Sequence, residues 1–151
     1  MGRSASDLLS QNYGLVAKDL FTPVLDVFGA ARSAFDGDVE KAVILLEVAV
    51  RTLQTRNMAG LDLQTVLSGA IKSYPTISTN MRSISDSSGI PKETVRRKVA
   101  ALVKDGLLLR QGNYLSLSPT ASRALTPIRS AVLKLAARNY ESITGLQSRD
   151  G

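Results

Sequence analysis

Apolar residues recur at helical spacing along the segment Lys92 to Lys104, and charged residues occupy most of the positions between them. The apolar positions are Val95, Val99, Leu102 and Val103, and the charged ones include Lys92, Glu93, Arg96, Arg97 and Lys104. Side chains spaced i, i+4 and i+7 lie on one side of a helix, so the pattern predicts a helix with one buried face. Pro91 before the segment and Asp105-Gly106 after it mark the expected ends.

The residues on either side of this helix predict a shorter helix and a β-hairpin. Asn80 is a good N-cap and Gly89 is a residue on which helices commonly end, so a short helix is expected between them. Two strands, Leu107–Arg110 and Tyr114–Leu117, flank Gln111-Gly112-Asn113, which is a hairpin signal. Helix, tight turn, helix and hairpin in this order form the plan of a winged helix-turn-helix unit. The alternative is a helical hairpin followed by a β-hairpin that has no nucleic-acid role.

Two further helices are predicted upstream of this unit. Pro23 suits the first turn of a helix that Thr22 caps and that runs to about Phe35. A second helix, from Val39 to about Thr55 and capped by Asp38, is apolar nearly all round. That profile is typical of a helix buried in the centre of a domain.

The segment after the hairpin predicts helices whose apolar face has two possible partners. Pro119 to Leu125 begins a helix, Pro127 kinks or restarts it, and Ile128 to Ile143 continues it. The apolar face comprises Ile128, Val132, Leu135 and, more loosely, Ala131 and Ala136. It either packs on the N-terminal helices of its own chain or forms the seam of a homodimer, and the pattern favours neither.

These elements predict a mainly α protein with a small β-hairpin wing, an α+β winged helix-turn-helix with extra N- and C-terminal helices. We expect an N-terminal helical extension over residues 1–38, the winged helix-turn-helix domain over residues 39–125, and a C-terminal helix over residues 126–151. Within the middle domain, Met58–Pro75 is predicted as a loop with one short helix, Leu63–Ile71.

The net charge of +6 is concentrated in one third of the chain. The segment Met81–Arg129 holds nine basic and three acidic residues, so its own net charge is also +6, whereas residues 1–80 carry −1 and residues 130–151 carry +1. The bases are Arg82, Lys92, Arg96, Arg97, Lys98, Lys104, Arg110, Arg123 and Arg129. A localised basic surface is typical of proteins with a polyanionic partner, although a protein that is merely basic is the simpler alternative.

The composition speaks against an enzyme and against a membrane protein. The 151 residues include no Cys and no His, which excludes thiolate chemistry and removes the commonest general base and metal ligand. The acids Asp36, Asp38 and Glu40 cluster at a helix N-terminus, where the helix dipole alone explains them. Gly29 and Gly37 have neither the spacing nor the lysine of a phosphate-binding loop. No apolar stretch is long enough to span a membrane, so we expect a cytoplasmic, non-enzymatic protein without a cofactor or metal.

The motif around the two predicted helices resembles that of bacterial winged helix-turn-helix transcriptional regulators, broadly of MarR and GntR type. The similar residues are GIPKETVRRKVAALVKDGLL, preceded by serines and followed by a hairpin and LSPTASRAL. The resemblance covers roughly Val39 to Leu125, with the Val39 helix as the first of the domain. Met58–Pro75 is a longer connection than such domains usually have. The resemblance implies a DNA-binding regulator, while the operator, the regulatory outcome and any small-molecule effector remain open.

Under this hypothesis double-stranded DNA is the partner, and the helix 92–104 reads the major groove. The residues expected at base edges are Lys92, Glu93, Thr94, Arg96 and Arg97, and those expected at the DNA backbone are Asn80, Arg82, Lys98, Arg110, Gln111 and Asn113. Glu93 either accepts from a cytosine or positions an arginine, and Lys98 either contacts DNA or is solvated. A homodimer is expected through Ile128, Val132 and Leu135. The alternatives are a winged helix that binds protein without a DNA ligand, and an RNA-binding protein.

Overall fold

The computed structural model describes residues 2–55, 58–78 and 80–151, and over these ranges the protein is mainly helical with one small antiparallel sheet. This agrees with the predicted mainly α, α+β class. The helices are α1 (Ala5–Gln11), α2 (Tyr13–Ala34), α3 (Val39–Leu53), α4 (Leu63–Leu67), α5 (Met81–Ser88), α6 (Lys92–Lys104), α7 (Pro119–Ala124) and α8 (Thr126–Asp150). The strands are β1 (Ile77–Ser78), β2 (Leu108–Gln111) and β3 (Tyr114–Leu117).

The centre of the fold is α3, and its burial follows from its nearly continuous apolar surface. Ile44, Leu45 and Val48 are fully buried, and α3 packs against α5, α6 and the sheet. The stripe predicted on α6 faces this centre, with Val95, Val99 and Leu102 among the residues fully removed from solvent. Burying side chains of this size stabilises the fold by roughly 1.5–3 kcal/mol each, so this contact fixes the orientation of α6.

The turn between α5 and α6 is held by short-range hydrogen bonds. Asn80 caps α5, and its side-chain oxygen accepts from the backbone N–H of Ser83 at 2.7 Å. Gly89 ends α5 with a φ of 75°, a conformation that costs glycine little. The hydroxyl of Ser85 donates to the carbonyl of Ile90 at 2.6 Å, which ties α5 to the residue two before α6. The predicted bounds of both helices are confirmed.

The sheet contains one strand more than the hairpin predicted from the sequence. The β2–β3 hairpin has the register Leu108↔Leu117 through Gln111↔Tyr114. Its first strand begins at Leu108, one residue after the predicted start at Leu107. Its tight turn uses a φ of 57° at Gly112. The additional strand, β1, pairs with β3 through Ile77 and Ser78, giving the order β1-β3-β2. Two residues are too few for an alternation pattern, which is why the sequence analysis missed β1.

The prediction that a helix begins at Pro23 is wrong. Helix α2 begins at Tyr13, and Pro23 lies buried inside it. Thr22 does not cap a helix but donates its hydroxyl hydrogen to the Lys18 carbonyl at 2.8 Å. A proline inside a helix loses one backbone hydrogen bond and strains the preceding turn. Packing of α2 against α8 along its length supplies the compensating contacts, and a single-helix pattern cannot reveal them.

Helices α2 and α8 run antiparallel and form a two-helix arm. At its far end Leu8, Val16 and Leu146 make a small separate apolar cluster, and Arg3 pairs with Asp150 at 3.1 Å. At the near end α8 joins the main core through Ile128. Pro127 lies in the first turn of α8, after the end of α7, in agreement with the predicted restart of the helix at this residue.

Helix α4 is shorter than the helix predicted over Leu63–Ile71. Asp62 caps it through a hydrogen bond from the Thr65 N–H at 2.8 Å, and it ends at Leu67. Gly69 has a φ of 73°, and the hydroxyl of Ser68 accepts the Ala70 N–H at 3.2 Å. These local turn contacts compete with further helical hydrogen bonds and stop the helix.

Candidate nucleic-acid interface

The solvent side of α6 carries a row of charged residues on its first two turns. Lys92, Glu93, Arg96 and Arg97 are exposed, whereas Thr94 is partly buried. They occupy this side because the opposite side, centred on Val99, is buried against α3 and α5. The structure therefore brings four of the five residues predicted to read bases onto an accessible surface of one helix.

Glu93 and Arg96 form an ion pair on this surface. The Arg96 Nε and one terminal nitrogen both approach the same Glu93 oxygen, at 3.1 and 3.0 Å. The spacing is i, i+3, at which oppositely charged side chains meet on the surface of a helix. Both side chains are highly exposed, so the pair contributes little to stability and restricts mainly the direction of the guanidinium.

Arg97 differs from its neighbour. Within the part of the chain that the structure describes, no carboxylate pairs with Arg97. Arg97 is exposed on the second turn of α6. The planar fork of an arginine side chain suits bidentate contact with two adjacent acceptors.

The predicted backbone-contacting residues divide between the start of α5 and the hairpin tip. Asn80 is exposed and uses its side-chain oxygen as the α5 cap, which leaves its NH₂ group as the donor for a ligand. Arg82 is exposed and lies 4.0 Å from Asp86. At the tip, the Arg110 Nε donates to the Gly112 carbonyl at 3.1 Å, and Gln111 and Asn113 are exposed.

Lys98 is turned inward to an internal ion pair and is not solvated. Its ammonium lies 2.5 Å from the Asp38 carboxylate and 3.8 Å from that of Glu40, and its side chain is only 18% exposed. Because these carboxylates neutralise its charge, we do not include Lys98 in the candidate interface. Spacing on α6 cannot reveal this contact, because the partner carboxylates lie about sixty residues earlier, at the start of α3.

The ion pair and the helix cap act together on Asp38. Burial raises the pKa of this carboxyl, but the hydrogen bonds from Lys98 and from the Lys41 backbone N–H, with the charges of both lysines, outweigh burial and lower the pKa. Because the pKa of Asp38 is lower in the folded than in the unfolded protein, the ionised carboxylate stabilises the fold at pH values above its ordinary pKa of 3.8. That contribution is lost as the pH falls through the lowered folded value.

We expect Asp38→Asn to reduce the free energy of unfolding at pH 7 by about 1–2 kcal/mol, between surface and buried ion pairs. Asparagine retains the N-cap, so the loss reports the charge interaction. The difference from the parent protein should shrink as the pH falls below the ordinary carboxyl pKa, because a protonated Asp38 resembles Asn. Urea unfolding at several pH values measures it, with the exposed Asp86→Asn as control. An unchanged difference at pH 2.5 and pH 7 would contradict this assignment.

Arg51 is a residue that the sequence analysis did not single out. It lies on α3, and its guanidinium donates to the Ser83 hydroxyl at 2.8 Å and to the Ser83 carbonyl at 3.3 Å. Glu47 lies 3.7 Å away on the same helix. Arg51 therefore fastens the start of α5, and with it Asn80 and Arg82, to the central helix.

Two of the three residues predicted as a dimer seam, Ile128 and Leu135, face the interior of their own chain. Ile128 is 1% exposed and belongs to the main core, and Leu135 is half-buried on the same side of α8. Val132 lies at the edge and is 44% exposed. Of the two partners considered for this stripe, the N-terminal helices of the same chain are the ones that it meets, because α2 covers α8.

The arm carries a second set of large apolar side chains, and these are exposed. On α2, Phe21, Leu25 and Phe28 follow i, i+4, i+7 spacing and are 55%, 69% and 59% exposed. On α8, Leu133 and Tyr140 are 51% and 70% exposed and are seven residues apart. An ideal helical-wheel projection of an antiparallel pair places both sets on the same side. We call these five residues the outer stripe.

Comparison with known protein families, curated proteins and solved structures finds no match for this chain. Within residues 2–55, 58–78 and 80–151 there is no cluster of acidic residues that can hold a metal ion. None of the helices described over the same ranges has the length and apolar character needed to cross a membrane.

Proposed function

We propose that this protein binds double-stranded DNA through a winged helix-turn-helix, with α6 in the major groove and the β2–β3 hairpin as the wing. The order of α3, β1, α5, α6 and the hairpin supports this, as does the tight turn at Gly89. The function is sequence-specific binding of the kind that a transcriptional regulator requires. A winged helix that binds only protein is the alternative that the tests below separate.

One observation carries the proposal: the basic residues on the first two turns of α6 are exposed, while the lysine on its inner side is neutralised. Lys92, Arg96 and Arg97 are exposed to solvent, whereas Lys98 forms ion pairs with Asp38 and Glu40. The first turns of a recognition helix are the part that reaches base edges. Cations at the α5 start and the hairpin tip flank this surface, where the two DNA strands lie in such complexes.

The proposal includes a homodimer formed through the outer stripe. Phenylalanine and leucine side chains exposed in a row are uncommon on monomers and usually mark an interface. A two-fold dimer presents two recognition helices to a symmetric site, and paired reading units of this kind are common. The interface is thus assigned to Phe21, Leu25, Phe28, Leu133 and Tyr140, in place of Ile128, Val132 and Leu135.

We expect the protein to bind duplex DNA with micromolar or tighter affinity at low salt and to release it steeply as salt rises. Each neutralised phosphate contributes roughly −0.9 to the slope of log affinity against log salt, because condensed counterions are released. Fluorescence anisotropy on a labelled duplex over a salt series measures this slope. Arg110→Ala should reduce its magnitude by about one, whereas Lys98→Ala should leave it unchanged.

Lys98→Ala is the matched control, because it removes the same charge from a residue that is already neutralised inside the protein. Its folding is checked first by circular dichroism, since the Asp38 pair is lost. Absence of binding at low salt, or a slope near zero, would reject DNA binding and favour the protein-interaction alternative. Equal changes of the salt slope in Arg110→Ala and Lys98→Ala would reject the assignment of the β2–β3 hairpin as a DNA-contacting wing.

A further inference from the structure

The two-helix arm contains two buried apolar clusters that are separated along its length. Next to the central unit, which comprises α3 to α7 with the sheet, Ala31 and Ile128 belong to the main core. At the far end, Leu8, Val16 and Leu146 form the small separate cluster. Buried apolar contacts therefore hold both ends of the arm, and the residues between the clusters determine how firmly the far end is held.

The antiparallel register of the arm places Pro23 on α2 opposite Asn139 on α8. Val16 and Leu146 meet in the far cluster. Pro23 follows Val16 by seven positions and Asn139 precedes Leu146 by seven, so both lie about two helical turns closer to the central unit. Pro23 is buried and Asn139 is half-buried, as expected for residues between two packed helices. We call this pair the middle level of the arm.

Both residues of the middle level weaken the hydrogen bonding of the arm. Pro23 has no backbone N–H, so the carbonyl of Asp19, four residues earlier, loses the helical hydrogen bond that it would otherwise accept. The side-chain oxygen of Asn139 is removed from solvent, and no donor reaches it from the residues that the structure describes. A buried acceptor without a donor is costly, and folded proteins contain few of them. The middle level is therefore the weak point between the two apolar clusters.

The far cluster is small for the length of chain that it orders. Three buried side chains, with two partly buried leucines beside them, hold α1, residues 13–22 of α2 and residues 140–150 of α8. We call these residues the far segment. The ion pair between Arg3 and Asp150 contributes little, because both side chains are largely exposed. Ordering so many residues costs much conformational entropy, so the far segment depends on its continuity with the rest of the arm.

We propose that the arm has a hinge at the level of Pro23 and Asn139, and that the far segment opens there as a unit while the central unit stays folded. Helices bend most sharply at prolines, and contiguous segments with few buried contacts open below the free energy of global unfolding. The hinge divides the outer stripe, because Phe21 and Tyr140 lie beyond it and the other three residues before it. Opening therefore changes the surface assigned to a second copy without unfolding α6. Only this consequence rests on the proposed dimer, and the hinge itself does not.

Hydrogen–deuterium exchange of the full chain without DNA, followed by mass spectrometry, tests the hinge. We expect the amides of the far segment to lose protection together, at least about a hundredfold more readily than the amides of α3. Asn139→Leu should slow exchange of the far segment by roughly tenfold, because it removes the unpaired acceptor and adds an apolar contact. Pro23→Ala should act in the same direction, because it returns an N–H to the Asp19 carbonyl. Ser148→Leu, a polar-to-leucine change on the exposed side of α8, is the matched control and should change the rate by less than about twofold.

A substitution in the main core separates opening at the hinge from global unfolding. Val99→Ala removes fully buried methyl groups from α6 and should speed the exchange of α3, whereas exchange of the far segment should stay unchanged because its open state retains the core. Ile44→Val, a milder change in the same core, serves if Val99→Ala does not fold. The proposal is overturned if the far segment is as protected as α3, if its exchange accelerates together with that of α3, or if Asn139→Leu and Pro23→Ala slow it no more than Ser148→Leu. None of these outcomes bears on DNA binding, which the salt series tests separately.

Discussion

The double substitution Leu25→Asp, Phe28→Asp is expected to give a folded monomer that binds a two-fold-symmetric duplex a hundredfold or more weaker than the parent protein. Both side chains are more than half exposed on α2, so a charge there should not disturb the chain's own core. Linking two reading units raises overall avidity by about 10²–10⁴, and separation of the protomers removes this gain. Light scattering gives the oligomeric state, and anisotropy on the same samples gives the affinity.

Val50→Asp provides a matched control, because Val50 is 52% exposed on α3, outside the arm. It should leave both the dimer and the affinity intact. Charges at the originally predicted seam should act differently: Leu135→Asp should reduce stability, because that side chain is half-buried on the side of α8 that α2 covers. A parent protein that is monomeric at about ten micromolar, a usual working concentration for such interfaces, would reject the outer stripe as a dimer interface.

Replacing Arg96 or Arg97 by Ala is expected to lower the preference for a specific duplex over a scrambled one by about 1–3 kcal/mol, if either contacts guanine bidentately. This corresponds to roughly 5- to 150-fold in the ratio of affinities. Arg97 should show the larger loss, since its guanidinium has no ion-pair partner in the described part of the chain, whereas that of Arg96 must first leave Glu93. The specific duplex is obtained by repeated selection from a random-sequence pool with the parent protein.

Lys104→Ala is the control for these variants, because Lys104 is exposed on the last turn of the same helix, away from the expected base edges. It should weaken both duplexes equally or not at all. Arg110→Ala on the wing should also weaken both alike. If Arg96→Ala and Arg97→Ala both retain the parent specificity ratio while binding remains salt-dependent, α6 is not the reading helix and another element contacts the bases.

Local signals were sufficient to predict the segment from Asn80 to Leu117. The cap at Asn80 and the left-handed glycine at Gly89 act over at most four residues, and the apolar stripe on α6 repeats within a single helix, so each of these signals is visible in the sequence alone. The hairpin followed from Gly112 for the same reason. The class, mainly α with a small sheet, and the exposure of Lys92, Arg96 and Arg97 also came from these patterns.

Contacts between distant segments decided the rest. Pro23 resembles a helix start in isolation, and only packing against α8 keeps it inside α2. Lys98 and Arg97 are adjacent in sequence, yet Lys98 pairs with Asp38, sixty residues earlier, while Arg97 faces solvent. The sequence pattern on α8 identified an apolar face but not its partner.

The tertiary structure packs α2 on the side of α8 that bears Ile128 and leaves Leu133 and Tyr140 exposed. It also places Pro23 opposite Asn139, two residues that are far apart in the sequence. The sequence by itself determined the elements that short-range hydrogen bonds and helical periodicity specify. Which charges are neutralised, which apolar faces are covered and which polar groups lack a partner depend on through-space packing, because these interactions join residues tens of positions apart.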